Sequence, residues 1–379
     1  MRLIHLSDLH LGKRLDNYSL AEDQGYILSE ILNIIDDQKP EAVLIAGDIY
    51  DKTVPPVEAV EMFDDFLVKL SKRGVQVYVI SGNHDSPERL AFGERLMEVS
   101  GVHISPVYQG VVEPIQQKDS YGFVNIYMLP FVKPANVRRF FPDEEITSYT
   151  QAIKVAIDHM NVNTNERNVL IAHQFVTGAE RSESEEISVG GLDNVDASVF
   201  EPFDYVALGH IHGPQNIMPG KIRYCGTPLK YSFSEEKHIK SVTVLELGEK
   251  GNVHVETIPL RPLRELRTLR GRFSELISRQ FYEDTSYPSD YIRVILTDEE
   301  DVLEAMSRLR AIYTNIVRLK YDNTRTRHYA ELEVMNEVEK RSPLSLFKEF
   351  YEQQNGMTLS EEQTSYIEDL IEGIWEEKQ

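Results

Sequence analysis

Carboxylate, amide and imidazole groups recur in five short fragments: Asp8-Leu9-His10, Gly47-Asp48, Gly82-Asn83-His84-Asp85, Ala172-His173 and Gly209-His210-Ile211-His212. Their donor atoms are oxygen and nitrogen without sulfur, a set suited to Mn²⁺, Fe²⁺ or Zn²⁺ rather than Ca²⁺. Asp8, His10, Asp48, Asn83, His173, His210 and His212 make seven candidate ligands, too many for one tetrahedral ion. Two five- or six-coordinate ions that share a carboxylate would use them and leave positions for water and substrate. Such a pair, about 3.5 to 4 Å apart, clamps a phosphodiester and makes water a nucleophile near neutral pH. The leaving alkoxide then needs a proton, which a histidine close to the ions but not bound to them can give.

Each fragment taken singly has a plainer explanation. Asp-x-His after a strand is commonly a hydrogen-bonded loop pair, and Gly-Asn serves a turn. Gly-His-x-His places two imidazoles on one side of an extended segment. What favours a site is that all five occur together, each at the end of a run that reads as a strand.

The elements that must position these fragments follow from the hydrophobic pattern. Residues 3–6, 42–46, 75–80, 124–129, 169–172 and 205–208 are short apolar runs with β-branched residues, and amphipathic helical stretches alternate with them. Ile27, Leu28, Ile31, Leu32 and Ile35 fall on one helical face ahead of Pro40. A second helix is predicted over 56–71, and a third starts with Ser86 as N-cap and Pro87 in its first turn. In layered α/β sheets the carboxyl ends of strands converge on one crevice. Residues 241–258 read as a hairpin closing this first domain.

The chain has 379 residues, 41% hydrophobic and 27% charged, which suits two or three folded domains and leaves no compositional case for disorder. One cysteine, Cys225, excludes an internal disulfide and a thiolate metal cluster. No leader-like apolar region and no membrane-length apolar run is visible, so a cytoplasmic protein without a membrane partner is expected. A formal charge of −22 disfavours coating of nucleic acid through a general basic surface. Arg261, Arg264, Arg267, Arg270 and Arg272, and then Arg318, Lys320, Arg325 and Arg327, are locally basic, and the plainer reading of each group is a solvated linker face.

The arginine-rich segment 261–272 is read as a join. Beyond it, 291–296, 299–312 and 316–321 are predicted as strand, helix and strand of a small α/β unit. After Ser342-Pro343, Leu344, Phe347, Phe350 and Tyr351 form one apolar stripe; a second helix opens with a capping box of Ser360 and Gln363 and carries Ile367, Leu370, Ile371, Ile374 and Trp375. The expected domains are therefore 1–260, 261–340 and 341–379.

Together the five fragments resemble the signature of the calcineurin-like metallophosphoesterases. Residues 4–12, 129–135 and 224–229 narrow the likeness to the SbcD family of bacterial break-repair nucleases. The resemblance implies an α/β two-sheet sandwich flanked by helices, with a smaller α/β capping domain and a C-terminal helical pair. It implies that one ion is held by Asp8, His10, Asp48 and His212 and its neighbour by Asp48, Asn83, His173 and His210. His84 would be the non-ligand catalytic histidine, with Asp85 as its orienting group or as a helix cap. Two divalent ions, Mn²⁺ first among them, would support 3′ to 5′ exonuclease action on double-stranded DNA ends and endonuclease action on single strands and hairpins.

The implied partners are DNA, an SbcC-type ATPase with a long coiled coil, and a second copy of the chain; the last two helices would either embrace that coiled coil or pack on the small domain. The dimer of two copies would form through 56–71 and 87–99. Archaeal and eukaryotic relatives carry a second histidine shortly after the bridging aspartate, where this chain has Asp51. Protein phosphatases of the superfamily place an arginine after Gly-Asp-x-x-Asp, where this chain has Lys52. A phosphatase or small-molecule phosphodiesterase is one alternative, and a scaffold that has lost its metals is another. Cys225 is expected to pack beside the site without a nucleophilic role, and His5, His103, His159, His238, His254 and His328 to be structural or on the surface.

Overall fold

Alternation along the strands divides their side chains between separate cores. In the strand Ala42–Ala46, Ala42, Leu44 and Ala46 share one core with Leu3, Tyr78, Val124, Ile171 and Tyr205, whereas Val43 and Ile45 join Ile31, Phe63, Phe66 and Leu70 from the helices. The first core lies between two sheets, and the second lies between one sheet and its helices. A third, containing Leu129, Leu170, Ala172, Val206 and Leu208, packs with Ile153 and Ile157 of the helix Tyr149–Asp158. This is the expected two-sheet sandwich flanked by helices.

The computed structural model describes residues 1–182, 185, 193–327, 348, 351, 359, 360, 363, 364, 366 and 367. The first six-stranded sheet runs in the order Val253–Pro259, Ser241–Leu247, Arg2–Leu6, Ala42–Ala46, Gln76–Ile80 and Val102–Ile104. Its last four strands are mutually parallel, and Ser241–Leu247 pairs antiparallel with both its neighbours. The second six-stranded sheet runs Gln215–Met218, Ile222–Tyr224, Tyr205–Gly209, Arg167–His173, Gly122–Leu129 and Ile115–Asp119. Helices Ala21–Gln38 and Val57–Lys72 bury their predicted apolar faces, and Ser86 caps a short turn of helix that begins at Pro87.

By contacts the described chain divides into two units. The first contains Met1–Leu269, Ser274–Val294 and Glu304–Leu319. It includes the strands Arg2–Leu6 to Val253–Pro259 and most of the segment that follows. The second contains Arg270–Phe273, Ile295–Leu303 and Lys320–Gln379. Here the Thr297 N–H donates to Gly271 O (3.0 Å) and the Asp322 N–H to Leu296 O (2.8 Å). A three-stranded sheet runs in the order Leu266–Gly271, Tyr291–Leu296 and Asn315–Tyr321. The helix expected over 299–312 is shorter, Ala305–Arg310.

Half of the expected join is therefore a strand. Several arginines of the two basic groups have carboxylate partners: Arg264 meets Glu22 and Asp23, Arg267 meets Asp290, Arg318 meets Asp16, and both Arg270 and Arg327 meet Asp322. Local neutralisation by the chain's abundant acids, rather than solvation alone, accounts for these arginines. Most of the C-terminal pair expected over 341–379, and His328, lie outside the described residues. Ser360 and Gln363 are described and make the expected reciprocal bonds, Ser360 N–H to Gln363 Oε1 (2.9 Å) and Gln363 N–H to Ser360 Oγ (3.2 Å).

His5 ties the two sheets together. Its ring is fully buried, with Nδ1 3.0 Å from Tyr205 Oη and Nε2 3.2 Å from Leu208 O. Burial, reinforced by the Arg223 charge, pushes its pKa down to about 3. The unfolded chain takes up this proton near pH 6.5 and the folded chain does not, so stability should fall as the pH drops from about 6.5 towards 3. Urea unfolding of wild type and His5→Gln at pH 7.5 and pH 5 should differ in slope, the wild type losing about 2 kcal/mol more over that interval. Equal losses would show that His5 accepts a proton in the folded protein.

Candidate metal centre

All five sequence fragments meet at one edge of the sandwich, because every one of them leaves the carboxyl end of a parallel strand. Asp8 and His10 follow Arg2–Leu6, Asp48 follows Ala42–Ala46, Asn83 and His84 follow Gln76–Ile80, His173 ends Arg167–His173, and His210 and His212 follow Tyr205–Gly209. Ligand atoms of Asp8, His10 and His212, of His10, Asp48 and His84, and of Asp8, Asp48 and His173 lie within 4.8 Å of one another in each group. Asn83 Oδ1 lies 3.0 Å from His173 Nε2 and 2.9 Å from His210 Nδ1. The candidate ligands are thus brought together.

Hydrogen bonds behind the donors decide which atom faces the centre. His173 Nδ1 donates to Ala46 O (2.8 Å), which leaves Nε2 as its forward atom, 3.4 Å from Asp48 Oδ2. Asp48 Oδ1 accepts from the His84 N–H (2.9 Å), so Oδ2 is the oxygen free to be shared. Asp8 receives the His210 N–H at Oδ1 (3.0 Å) and the Ser7 hydroxyl at Oδ2. His84 Nδ1 donates to Asp51 O (3.1 Å), which turns Nε2 towards the centre, 4.0 Å from Asp48 Oδ2. His84 is half-buried where Asp8, His10, Asp48 and His173 are buried, and so it stands at the mouth.

Asp85 spends both carboxylate oxygens on backbone amides: Ile49 N–H (3.1 Å), Tyr50 N–H (3.0 Å) and Gly82 N–H (2.9 Å). It therefore clamps the loop after Asp48 to the turn that carries Asn83 and His84. Asp51 puts its side chain on Lys13 Nζ (2.6 Å), with Oδ1 3.9 Å from His10 Nδ1. Cys225 is buried with Sγ 3.0 Å from Ser7 Oγ, and burial pushes its thiol up to about 12. It packs beside the centre as expected.

The residues present fit a pair of cations. His10 Nε2 and His212 Nε2 face each other at 3.2 Å, an arrangement in which two lone pairs would repel unless a proton or a metal ion lies between them. Two imidazole nitrogens likewise converge on one amide oxygen at Asn83. Asp8 and Asp48 are both buried, and burial, with the Asp48 charge adding to it, pushes Asp8 up to about 6. Burial pulls His173 down, but the charge and hydrogen bond of Asp48, with Asp8 and the Ala46 carbonyl, together outweigh it and raise His173 to about 9, whereas burial holds His10 and His210 neutral. A divalent cation relieves this confined negative charge and uses neutral imidazoles as ligands.

The backbone is shaped around the same point. Asp8, His10, Asp48 and His210 all have positive φ (52°, 44°, 51° and 100°), a conformation that costs non-glycine residues roughly 1–3 kcal/mol each. Glycines let the sheet ends close up. A Cβ on Gly209 would stand 1.9 Å from Ala46 O and 2.7 Å from His173 Nδ1, and one on Gly82 would stand 2.1 Å from Asp48 Oδ1. Since Ala46 O is backbone and cannot swing away, Gly209→Ala is expected to destabilise the fold by about 1–3 kcal/mol in urea unfolding and to weaken metal binding. Wild-type behaviour in both measurements would contradict this packing.

Several neighbours escaped the sequence reading. Glu235 and Lys240 lie buried behind His212, with Glu235 Oε1 3.4 Å from His212 Nδ1. Burial pushes Glu235 up, but His212 and Lys240 outweigh it and hold the carboxyl well below the usual range. The rings of Phe175 and Phe131 lie edge-on to His210 and His173, with centroids 6.5 and 6.2 Å apart, and the Arg181 guanidinium covers Phe175 at 3.6 Å from its centroid. Glu235 sits in a Ser-Phe-Ser-Glu turn, and Phe175 two residues after His173; neither spacing marks a site.

Comparison with known proteins agrees with this architecture. Residues 1–214 match the family described as calcineurin-like phosphoesterase, and residues 262–355 match one described as Type 5 capsule protein repressor C-terminal domain. The SbcD subunit of the SbcCD nuclease of Staphylococcus epidermidis is 31% identical over 99% of this chain and 99% of its own length. That of Staphylococcus saprophyticus is 31% identical over 100% of this chain and 99% of its own. Among the described residues no helix is long and apolar enough to cross a membrane. With its donor set at the strand ends and these matches along its length, the chain belongs to the calcineurin-like phosphoesterases and, within them, to the SbcD family of SbcCD nuclease subunits, metal-dependent phosphodiesterases.

Proposed function

We propose that the chain is a DNA nuclease that hydrolyses phosphodiesters with two divalent cations, Mn²⁺ in preference, cutting double-stranded ends from 3′ to 5′ and single strands and hairpins internally. The single observation that carries this reading is the meeting of Asp8, His10, Asp48, Asn83, His173, His210 and His212 at one edge, with His84 at its mouth. Asp8, His10, Asp48 and His212 would hold one ion, and Asp48, Asn83, His173 and His210 the other. When bound, such a pair polarises the phosphoryl oxygens and makes water a nucleophile near neutral pH.

The chain's own residues do the rest. Asp48 would be shared between the ions, its Oδ1 being fixed by the His84 N–H so that Oδ2 stays directed inward. His84, with Nδ1 anchored on Asp51 O, turns Nε2 towards the scissile bond and gives the leaving oxygen its proton. Asp85 acts indirectly, by keeping the turn of Asn83 and His84 against the Asp48 loop.

Residues 1–260 form the catalytic domain in this reading, 261–340 a cap that faces DNA, and 341–379 a helical pair for an SbcC-type ATPase in the cytoplasm. The negative total charge suits a partner that supplies much of the DNA contact. Phe92, Leu96 and Val99 are exposed by 82, 81 and 89%, an apolar patch that supports a homodimer through 56–71 and 87–99, hence a heterotetramer with the ATPase. End-labelled duplex and hairpin DNA incubated in Mn²⁺, with and without the ATPase, test the reading beside a chromogenic phosphodiester. Cutting of DNA supports it; turnover of the small ester with DNA left intact would contradict it.

A further inference from the structure

Of the histidines at the centre, two turn their outer ring nitrogen to a backbone carbonyl and one to a carboxylate. His173 rests on a backbone carbonyl, Ala46 O, and His84 on Asp51 O. His212 meets a carboxylate, Glu235 Oε1, at 3.4 Å. Its partner Lys240 donates from Nζ to Glu235 Oε2, to Thr227 Oγ1 (2.6 Å) and to His212 O (2.8 Å). Ring and backbone of His212 are thus pinned by the two ends of one ion pair. Glu235 is 0% and Lys240 5% exposed, so both charges are desolvated, a cost that a pair of apolar residues would avoid. An apolar pair could fill this space but could not hold an imidazole by its N–H.

We infer that Glu235 and Lys240 are positioning residues for metal binding: Glu235 fixes His212 with Nε2 forward and strengthens it as a donor, and Lys240 balances the carboxylate and holds His212 by its carbonyl. The inference rests on the two-ion reading and goes further, because it makes the two ion positions unequal. The ion held by Asp8, His10, Asp48 and His212 depends on this brace. Its neighbour, whose histidine ligands are His173 and His210, does not.

Glu235→Gln keeps an oxygen for the His212 N–H but removes the charge. Competition titration of Mn²⁺ against a fluorescent chelator should give two sites in the wild type. In Glu235→Gln one site should weaken by about 10- to 100-fold and the other stay unchanged. Because this variant leaves Lys240 buried and unpaired, Glu235→Gln/Lys240→Met is measured beside it: thermal melting of the metal-free protein should recover towards the wild type while the weak site stays weak. Wild-type affinity at both sites in Glu235→Gln, or recovery of affinity together with melting in the double variant, would overturn the inference and leave the two-ion reading standing. A wild type that binds fewer than two ions would overturn the two-ion reading, and this inference with it.

Discussion

Asp48→Asn is expected to abolish cutting, with loss of both metal ions and little loss of fold. Asparagine keeps the shape of the side chain and, with its amide oxygen towards His84, can still accept the N–H now received by Oδ1 at 2.9 Å. What disappears is the charge on Oδ2, which lies 3.4 Å from His173 Nε2 and 3.7 Å from His10 Nε2. Asp48 alone stands between the two proposed ligand sets, so neither ion keeps its full share of negative charge. Loss of several kcal/mol of transition-state stabilisation corresponds to a rate lower by about 10³-fold or more. Mass spectrometry of metal content, with urea unfolding as the control for folding, checks the cause. Activity lost with both ions retained would show that Asp48 acts in some other way.

His84→Ala separates proton transfer from metal binding. The ring reaches the centre only through Nε2, 4.0 Å from Asp48 Oδ2, and its other nitrogen is spent on Asp51 O. It is half-buried and at the mouth, where a leaving oxygen would pass. Cutting should fall by about 10²- to 10⁴-fold, the usual worth of a placed general acid, with two ions still bound. An ester with a good leaving group needs little help from a proton, so its hydrolysis should fall far less than that of DNA. Equal losses on both substrates would assign His84 a structural or electrostatic role instead.

Much of this centre could be read from the sequence because it is assembled by strand ends. Runs such as 42–46 and 205–208 are apolar enough to be recognised as buried strands, and parallel pairing then sends their carboxyl ends, with Asp48, His210 and His212, to one edge. The donor chemistry was equally plain, since carboxylate, amide and imidazole without thiolate restrict the metals that fit.

Less visible was whatever depends on distant or unusual backbone. Positive φ at Asp8, His10, Asp48 and His210 carries no local signal, because these residues usually avoid it and are held there by bonds such as Asp8 N–H to Gly47 O. The strand Leu266–Gly271 was hidden by its arginines, Arg267 and Arg270, whose carboxylate partners lie 23 and 52 residues away. Glu235 and Lys240 reach His212 from 23 and 28 residues along the chain, through folding alone. Asp51 itself is legible in the sequence, where it stands in place of a histidine, but not that its carbonyl receives His84 and its carboxylate receives Lys13.

The sharing of Asp48 by two cations is tested most directly by anomalous diffraction from crystals soaked in Mn²⁺ and recorded on both sides of the manganese edge. Two peaks are expected, about 3.5 to 4 Å apart, both in contact with Asp48, one beside His10 and His212 and the other beside Asn83, His173 and His210. A single peak, or two peaks of which only one touches Asp48, would contradict a bridged pair.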